Sequence, residues 1–293
     1  MINPKHLTSL VAIAAHGSFS AAGDAIGRSH SAVSLHVKAL EHELGTVLID
    51  RGTRPISLTS DGLALVEQAR RFRRVMEDIR AVGQSDALSG TLSVGIVPTV
   101  MSHRAPPALA RMRKDHPDVQ LEIRTGLSGE LARAVQAGDL DAAILTGPDL
   151  VPDGLEASAI GEEPLVVIAP EGSEGATDTA LLQDHPFIWF SRKTWAGQQI
   201  ERRLLDRGIR VQAAMEVDSL EAIESLVRNG LGVAIVPDRA DRTADLVCLP
   251  FCEPQAVRKV VMLTRSRSPK GRLCEALAKE LQAEATRNPS KSA

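Results

Sequence analysis

Between residues 17 and 45 the apolar residues recur twice at helical spacing, separated by a short break containing glycine. That pattern demands two short helices joined by a tight turn. The first has Ala21, Ala22, Ala25 and Ile26 on one side, with Ser18 or Ser20 placed to cap it. Gly27, Arg28 and Ser29 then break the period and supply a new cap, so a second helix starts at His30 or Ser31. Val33, Val37, Leu40 and Leu44 follow at steps of four, three and four, forming one stripe to be buried, and Gly45 ends the helix. The other face carries Ser31, Ser34, Leu35 and Lys38, groups sized to enter a major groove and reach base edges or phosphates. This is the pattern of a helix-turn-helix.

Two short β-prone runs follow, residues 47–51 and 54–59, around a turn containing Gly52, with Arg51 and Arg54 bracketing it. Such a pair reads as a wing. Arg28, Arg51 and Arg54 are therefore expected on phosphates or at the minor-groove edge, with Ser29 and His30 opening the recognition helix. Upstream, Leu7, Leu10, Val11 and Ala14 lie on one side of a helix over residues 4–15 that closes a three-helix core.

The order Ser29, His30, Ser31, Ala32, Val33, Ser34, then Leu40, Glu41, Leu44, Gly45, Leu48, Arg51, Arg54, Leu58, Thr59, Ser60, Asp61 and Gly62 resembles the N-terminal pattern of the LysR-type transcriptional regulators. Ile49 stands where that family usually has an aromatic residue, and His30 or Ser31 where it often has Gln or Pro. The resemblance implies an α/β protein with an N-terminal winged helix-turn-helix, a long linker helix, and a C-terminal two-subdomain, periplasmic-binding-protein-like effector domain. The domains are expected at residues 1–60, 61–89 and 90–293, with subdomain I at about 90–162 and 264–293 and subdomain II at about 163–263.

The rest of the chain carries its own signals. Thr59 or Ser60 caps a helix expected to run to about residue 87, roughly 40 Å long, whose Leu65, Ala69, Phe72, Met76 and Ile79 repeat at 4-3-4-3 spacing. A seam that long exceeds what a domain of sixty residues covers, so it is expected to pair two subunits. The resemblance extends this homodimer to a homotetramer through the regulatory domains. Residues 85–90 are small and hinge-like.

Strands and helices then alternate. Strands are expected at 92–97, 119–123, 142–145, 164–168, 187–190, 211–217, 232–236, 247–250 and 257–263. Helices are expected at 102–114, 129–137, 198–207, 220–229 and 269–283, with a frayed end over 285–293. Residues 128–144 and 219–235 align at a constant offset, and two similar halves imply a cleft between them.

The net charge of −3 speaks against a protein that coats nucleic acid, but of the cations of the first sixty residues Arg28, Lys38, Arg51 and Arg54 fall on the turn, the recognition helix and the wing. Five Phe, two Trp and no Tyr leave little for stacking on unpaired bases, so duplex DNA is the expected partner. Three late cysteines without a CxxC pair suggest reduced thiols. There is no apolar leader core and no run long enough to span a bilayer, so a cytoplasmic protein with no membrane partner is expected.

No catalytic motif, metal-ligand spacing or cofactor fingerprint is present, so no enzyme, no metal and no cofactor are expected. Asp139 and Asp141 suit a turn better than an acid-base pair. A two-lobed small-molecule-binding or biosynthetic domain, in which DNA binding is secondary, is the alternative that residues 91–268 alone would fit. Residues 1–62 favour the regulator.

The effector is expected where strands give way to helices, since ligands in open α/β folds lie beyond the strands' carboxyl ends, near helix N-termini. Thr99 and Ser102 follow the first strand, Ser128 the second, and Ser219 lies in the other half. The resemblance aligns Thr99, beside Val100, with a position that contacts effectors. Thr146, Trp189 and Ser191 are expected on the facing walls, Trp189 supplying an apolar side. A small carboxylate-bearing metabolite with an apolar or aromatic body matches that lining.

Overall fold

The computed structural model describes residues 2–52, 56–81, 88–148, 150–173, 175–239, 242 and 245–287. It divides into two compact units, residues 1–85 and 86–293.

In the first unit α1 (Pro4–His16), α2 (Phe19–Ile26) and α3 (His30–Leu44) are each short, and each is fixed at its start by a side chain. Asn3, Ser18 and Ser29 accept from the backbone N–H groups of Lys5, Ala21 and Ala32, each cap contributing about 1 kcal/mol. The turn between α2 and α3 closes tightly on Gly23, where an added Cβ would lie 2.5 Å from the Arg28 carbonyl oxygen. Val33, Val37 and Leu40 are fully buried against Leu10 of α1, as the apolar stripe requires. A two-stranded wing, β1 (Ile49–Asp50) antiparallel to β2 (Ser57–Leu58), follows. Glu41 of α3 anchors it by accepting from the N–H groups of Leu48 and Ile49 at 3.0 and 3.4 Å.

The long helix α4 spans Ser60–Ala81, about 33 Å at 1.5 Å per residue; its expected continuation over 82–87 and the hinge at 85–87 lie outside the described residues. The expected seam divides in two. Leu65 packs against the core of the first unit and Ala69 is buried in it, together with Val66, because three short helices leave an apolar gap that the start of α4 fills. Phe72, Val75 and Ile79 remain exposed, at 40%, 53% and 57%.

The second unit has two lobes. In lobe I, β3 (Gly90–Ile96) lies between β4 (Val119–Thr125) and β5 (Ala142–Thr146), parallel to both. Val94, Ile96, Ile144 and Leu145 are fully buried there. Helices α5 (Pro98–Met101), α6 (Ala105–Asp115) and α7 (Ser128–Gln136) connect the strands. The helix expected from Ser102 thus starts three residues later and is preceded by a single turn. Pro106 at the start of α6 sets the break, since proline is at home only in a first turn.

The expectation of a strand over 164–168 is too short. β6 runs from Leu155 to Pro170, and its first half escaped notice because Glu156, Ser158, Glu162 and Glu163 conceal the apolar alternation. This strand carries the chain between lobes, and β11 (Val257–Arg265) returns beside it, antiparallel to both β6 and β5. Lobe II adds α8 (Asp178–Asp184), which the sequence reading did not anticipate, parallel β7 (Pro186–Phe190) and β8 (Gln212–Val217), and helices α9 (Trp195–Asp206) and α10 (Leu220–Arg228). Strands β9 (Ala234–Pro237) and β10 (Leu246–Pro250) both pair with the second half of β6. α9 begins three residues before its expected start because Thr194 caps it, accepting from the Gly197 N–H at 2.9 Å. The final helix α11 (Gly271–Arg287) runs beyond residue 283, so residues 285–287 are helical where fraying was expected, and 288–293 lie outside the described residues.

Candidate DNA-binding and effector sites

On α3 the structure places Ser31, Leu35 and Lys38 at the surface and Ser34 half-buried, with Arg28, Ser29 and His30 exposed at the turn. Ser29 does double work there. Its hydroxyl caps the helix and lies 3.0 Å from that of Ser31. His30 meets the edge of Phe19, with ring centroids 5.6 Å apart. Arg51 is partly engaged inside the unit, 3.2 Å from the Glu41 carboxylate and above the Phe19 ring. Arg54 lies outside the described residues. His36, one residue past Leu35, turns inward instead: its Nδ1 meets the Ser9 hydroxyl at 2.7 Å and its ring stacks on His6. Burial, reinforced by His6, Arg28 and Lys5, holds its pKa below the usual histidine value.

In the second unit a cavity of about 240 Å³ opens between the lobes. Its walls include Val97, Thr125, Thr146, Phe190 and Asp218. Each of these residues ends a strand or directly follows one, which is where ligands sit in open α/β folds. Thr99 and Ser128 also line it, as do Leu127, Glu130, Thr194 and Ala196. A neighbouring cavity of about 260 Å³ shares Pro98, Thr99, Thr125 and Asp218 and adds Ser102 and Ser219.

The hydroxyls around these cavities are unequal. Ser219 is spent on capping α10, accepting from Ala222 N–H at 3.2 Å and lying 2.9 Å from Glu221. Ser102 donates to the Pro98 carbonyl. Ser128 is not a cap: it opens α7, the cap position belongs to Leu127, and Leu127 offers no side-chain hydrogen bond. The first N–H groups of α7 therefore have no capping side chain. Thr99 accepts from the Arg258 guanidinium at 3.0 Å. Arg258 in turn forms a two-point ion pair with Glu163, its cross-strand partner, donating from Nε at 2.6 Å. Arg104 also reaches Glu163, at 3.2 Å. Two cations thus share one carboxylate behind Thr99, while the cavity itself is lined by the carboxylates of Glu130 and Asp218.

Three of the residues expected on the walls lie elsewhere. Trp189 is only 5% exposed and packs edge-on to Phe187 in the core of lobe II. Alternation along β7 sends Phe187 and Trp189 to one side and Ile188 and Phe190 to the other, so Phe190 supplies the apolar wall. Val100 is fully buried in the lobe I core. Ser191 lines neither cavity, and its carbonyl accepts from Thr194. Sequence reasoning missed Thr125, Glu130, Phe190, Thr194 and Asp218. Strand ends were the signal that could have found Thr125, Phe190 and Asp218, whereas Glu130 lies in the first turn of α7 and Thr194 caps α9. Arg258 had none, lying 159 positions from Thr99 along the chain.

None of the three cysteines lines either cavity. Burial raises all three thiols, that of Cys274 to about 12. Among the described residues no group of three or more His, Cys, Asp or Glu is placed to hold a metal ion, and no helix is long and apolar enough to cross a membrane.

A winged helix-turn-helix joined to a two-lobed α/β unit with a cavity between the lobes defines a class, that of DNA-binding transcriptional regulators with an effector-binding domain. Residues 4–63 match the family model described as bacterial regulatory helix-turn-helix protein, lysR family, and residues 85–286 match the LysR substrate binding domain. The chain belongs to the LysR family of transcriptional regulators. It is 29% identical over 290 residues to a hydrogen peroxide-inducible genes activator of Dickeya chrysanthemi, covering 92% of this chain and 91% of the relative. It shares its fold with full-length OxyR of Pseudomonas aeruginosa, solved as a point variant (TM-score 0.72, 24% identity, 96% of this chain and 98% of the other). Full-length CbnR complexed with its target DNA is also similar in fold (TM-score 0.71, 22% identity, 97% and 100%).

Proposed function

We propose that this chain acts in the cytoplasm as an effector-responsive regulator. Residues 1–60 bind duplex DNA, 61–89 pair two subunits, and 90–293 bind a small carboxylate that sets the DNA-bound geometry. Arg28, Ser29, His30, Ser31, Ser34, Leu35 and Lys38 form the major-groove face, with Arg51 and Arg54 at the wing. Exposure of Phe72, Val75 and Ile79 along one stripe of α4 supports the dimer, and family membership supports a tetramer through the regulatory domains.

The observation that carries the effector reading is the pairing of the uncapped α7 N-terminus with Thr99 and its backing cations. The uncapped α7 N-terminus and the Arg258 guanidinium behind Thr99 favour an anion at that end, and Phe190, Val97 and Leu127 suit a small apolar body. Glu130 and Asp218 also line the cavity, so the effector presents a hydrogen-bond donor, not a second anionic group, toward them. A ligand that docks there is favoured over an oxidant. Peroxide attacks thiolates, and here no cysteine lines either cavity and burial raises the pKa of all three thiols.

The test is thermal shift of the full chain against aliphatic and aromatic monocarboxylates, dicarboxylates, amino acids, the corresponding amides, and hydrogen peroxide. A carboxylate at a hundred times its Kd should stabilise by about 2.7 kcal/mol, and its amide should not. Thr99→Val should weaken that hit roughly ten-fold or more, since a hydrogen bond to a charged group contributes about 1.5–3 kcal/mol. A hit indifferent to both Thr99→Val and Ser128→Ala puts the site elsewhere, and a screen won only by cations overturns the anion reading.

A further inference from the structure

Leu35 is an apolar residue on the recognition face that core packing does not explain. It is 65% exposed in the middle of α3, while Val33 and Val37, two positions to either side, are fully buried. The helical period therefore turns it outward with Ser31, Ser34 and Lys38, at offsets of four, one and three residues. Those three neighbours carry donors. An isobutyl group offers none and cannot engage a phosphate. Single exposed leucines are ordinary on protein surfaces. Here, however, the leucine occupies the centre of the face that meets the groove.

A major groove presents donors and acceptors from every base, and one apolar feature, the C5-methyl of thymine. We propose that Leu35 reads a thymine methyl in each half-site. This inference rests on the reading that α3 lies in the major groove. Burial of the methyl against Leu35 favours thymine. Cytosine at the same position is disfavoured twice, because it lacks the methyl and places its amino group against a side chain that cannot accept. Loss of one methyl contact corresponds to about four-fold in affinity, and loss of a symmetric pair in a dimer to about fifteen-fold.

The test uses the full chain and the DNA upstream of its own gene. Footprinting defines the protected segment, and synthetic duplexes of it then carry deoxyuridine in place of each thymine in turn, a change that removes only the methyl. A single substitution at the contacted thymine of either half-site should weaken binding about four-fold, and substitution at both about fifteen-fold. Leu35→Ala should bind the thymine and uracil duplexes equally at those positions, while Leu35→Met, which keeps apolar reach, should retain the preference. A parent protein indifferent to uracil at every position overturns the inference, and the uracil scan of the parent needs no variant to fold. So does an undiminished uracil penalty in Leu35→Ala. In both cases salt-dependent binding by the parent would leave the groove reading standing, whereas absence of any footprint would remove both.

Discussion

Gly62→Ala should disable the first unit. A Cβ at residue 62 would lie 2.1 Å from the Leu48 carbonyl oxygen and 3.0 Å from its carbonyl carbon. Both are backbone atoms, so no rotamer change relieves the overlap. The segment is also pinned: Leu48 O accepts from Thr59 N–H at 3.0 Å, and the Thr59 hydroxyl donates to Val47 O while accepting from Gly62 N–H. To admit a methyl, α4 must leave the wing and uncover Val66 and Ala69. The expected cost is about 3 kcal/mol or more, a large share of what a small unit possesses. For fewer than a hundred residues that lowers the melting transition by roughly 12 °C or more. Calorimetry of the full chain should show the first transition shifted, the regulatory transition unmoved and DNA affinity lost. An unchanged pair of transitions contradicts the packing described for α4.

Phe72→Asp should break the proposed linker-helix dimer without unfolding either unit. Phe72 is already partly exposed within the subunit, so a charge there costs its own fold little. Across a two-helix seam, by contrast, it buries an unpaired charge beside its symmetry mate. A regulator that holds two half-sites at once gains affinity from effective concentration, commonly 10²–10⁴-fold. The variant should sediment at half the parental mass and bind DNA at least about a hundred-fold more weakly. Parental mass together with parental affinity would remove the seam from the account.

The parts legible in the sequence were those set by local chemistry. Ser18, Ser29 and Gly45 mark helix ends by the caps they form, and Val33, Val37 and Leu40 declare their buried face by spacing alone. The parts that were not legible depend on what lies across the fold. Ala69 reads as part of a seam until the gap it fills is seen, and β6 reads as a five-residue strand until β11 pairs with its acidic half. Trp189 and Phe190 are interchangeable as apolar wall residues until the direction of β7 fixes which of them meets the cavity. The charge behind Thr99 could not be foreseen at all, because Arg104, Glu163 and Arg258 converge from α5–α6, β6 and β11.

The claim on which the rest depends is that α3 docks on duplex DNA with Lys38 at a phosphate, and it is tested by the salt dependence of binding. Affinity of the parent and of Lys38→Ala for the footprinted upstream duplex should be measured from 50 to 300 mM salt on the same preparations. Each lost phosphate contact lowers the slope of log K against log salt by about 0.9, so a dimer lacking both lysines should be shallower by about 1.8 and weaker on every sequence tried. Parallel lines of equal affinity would contradict the placement of α3 in the groove.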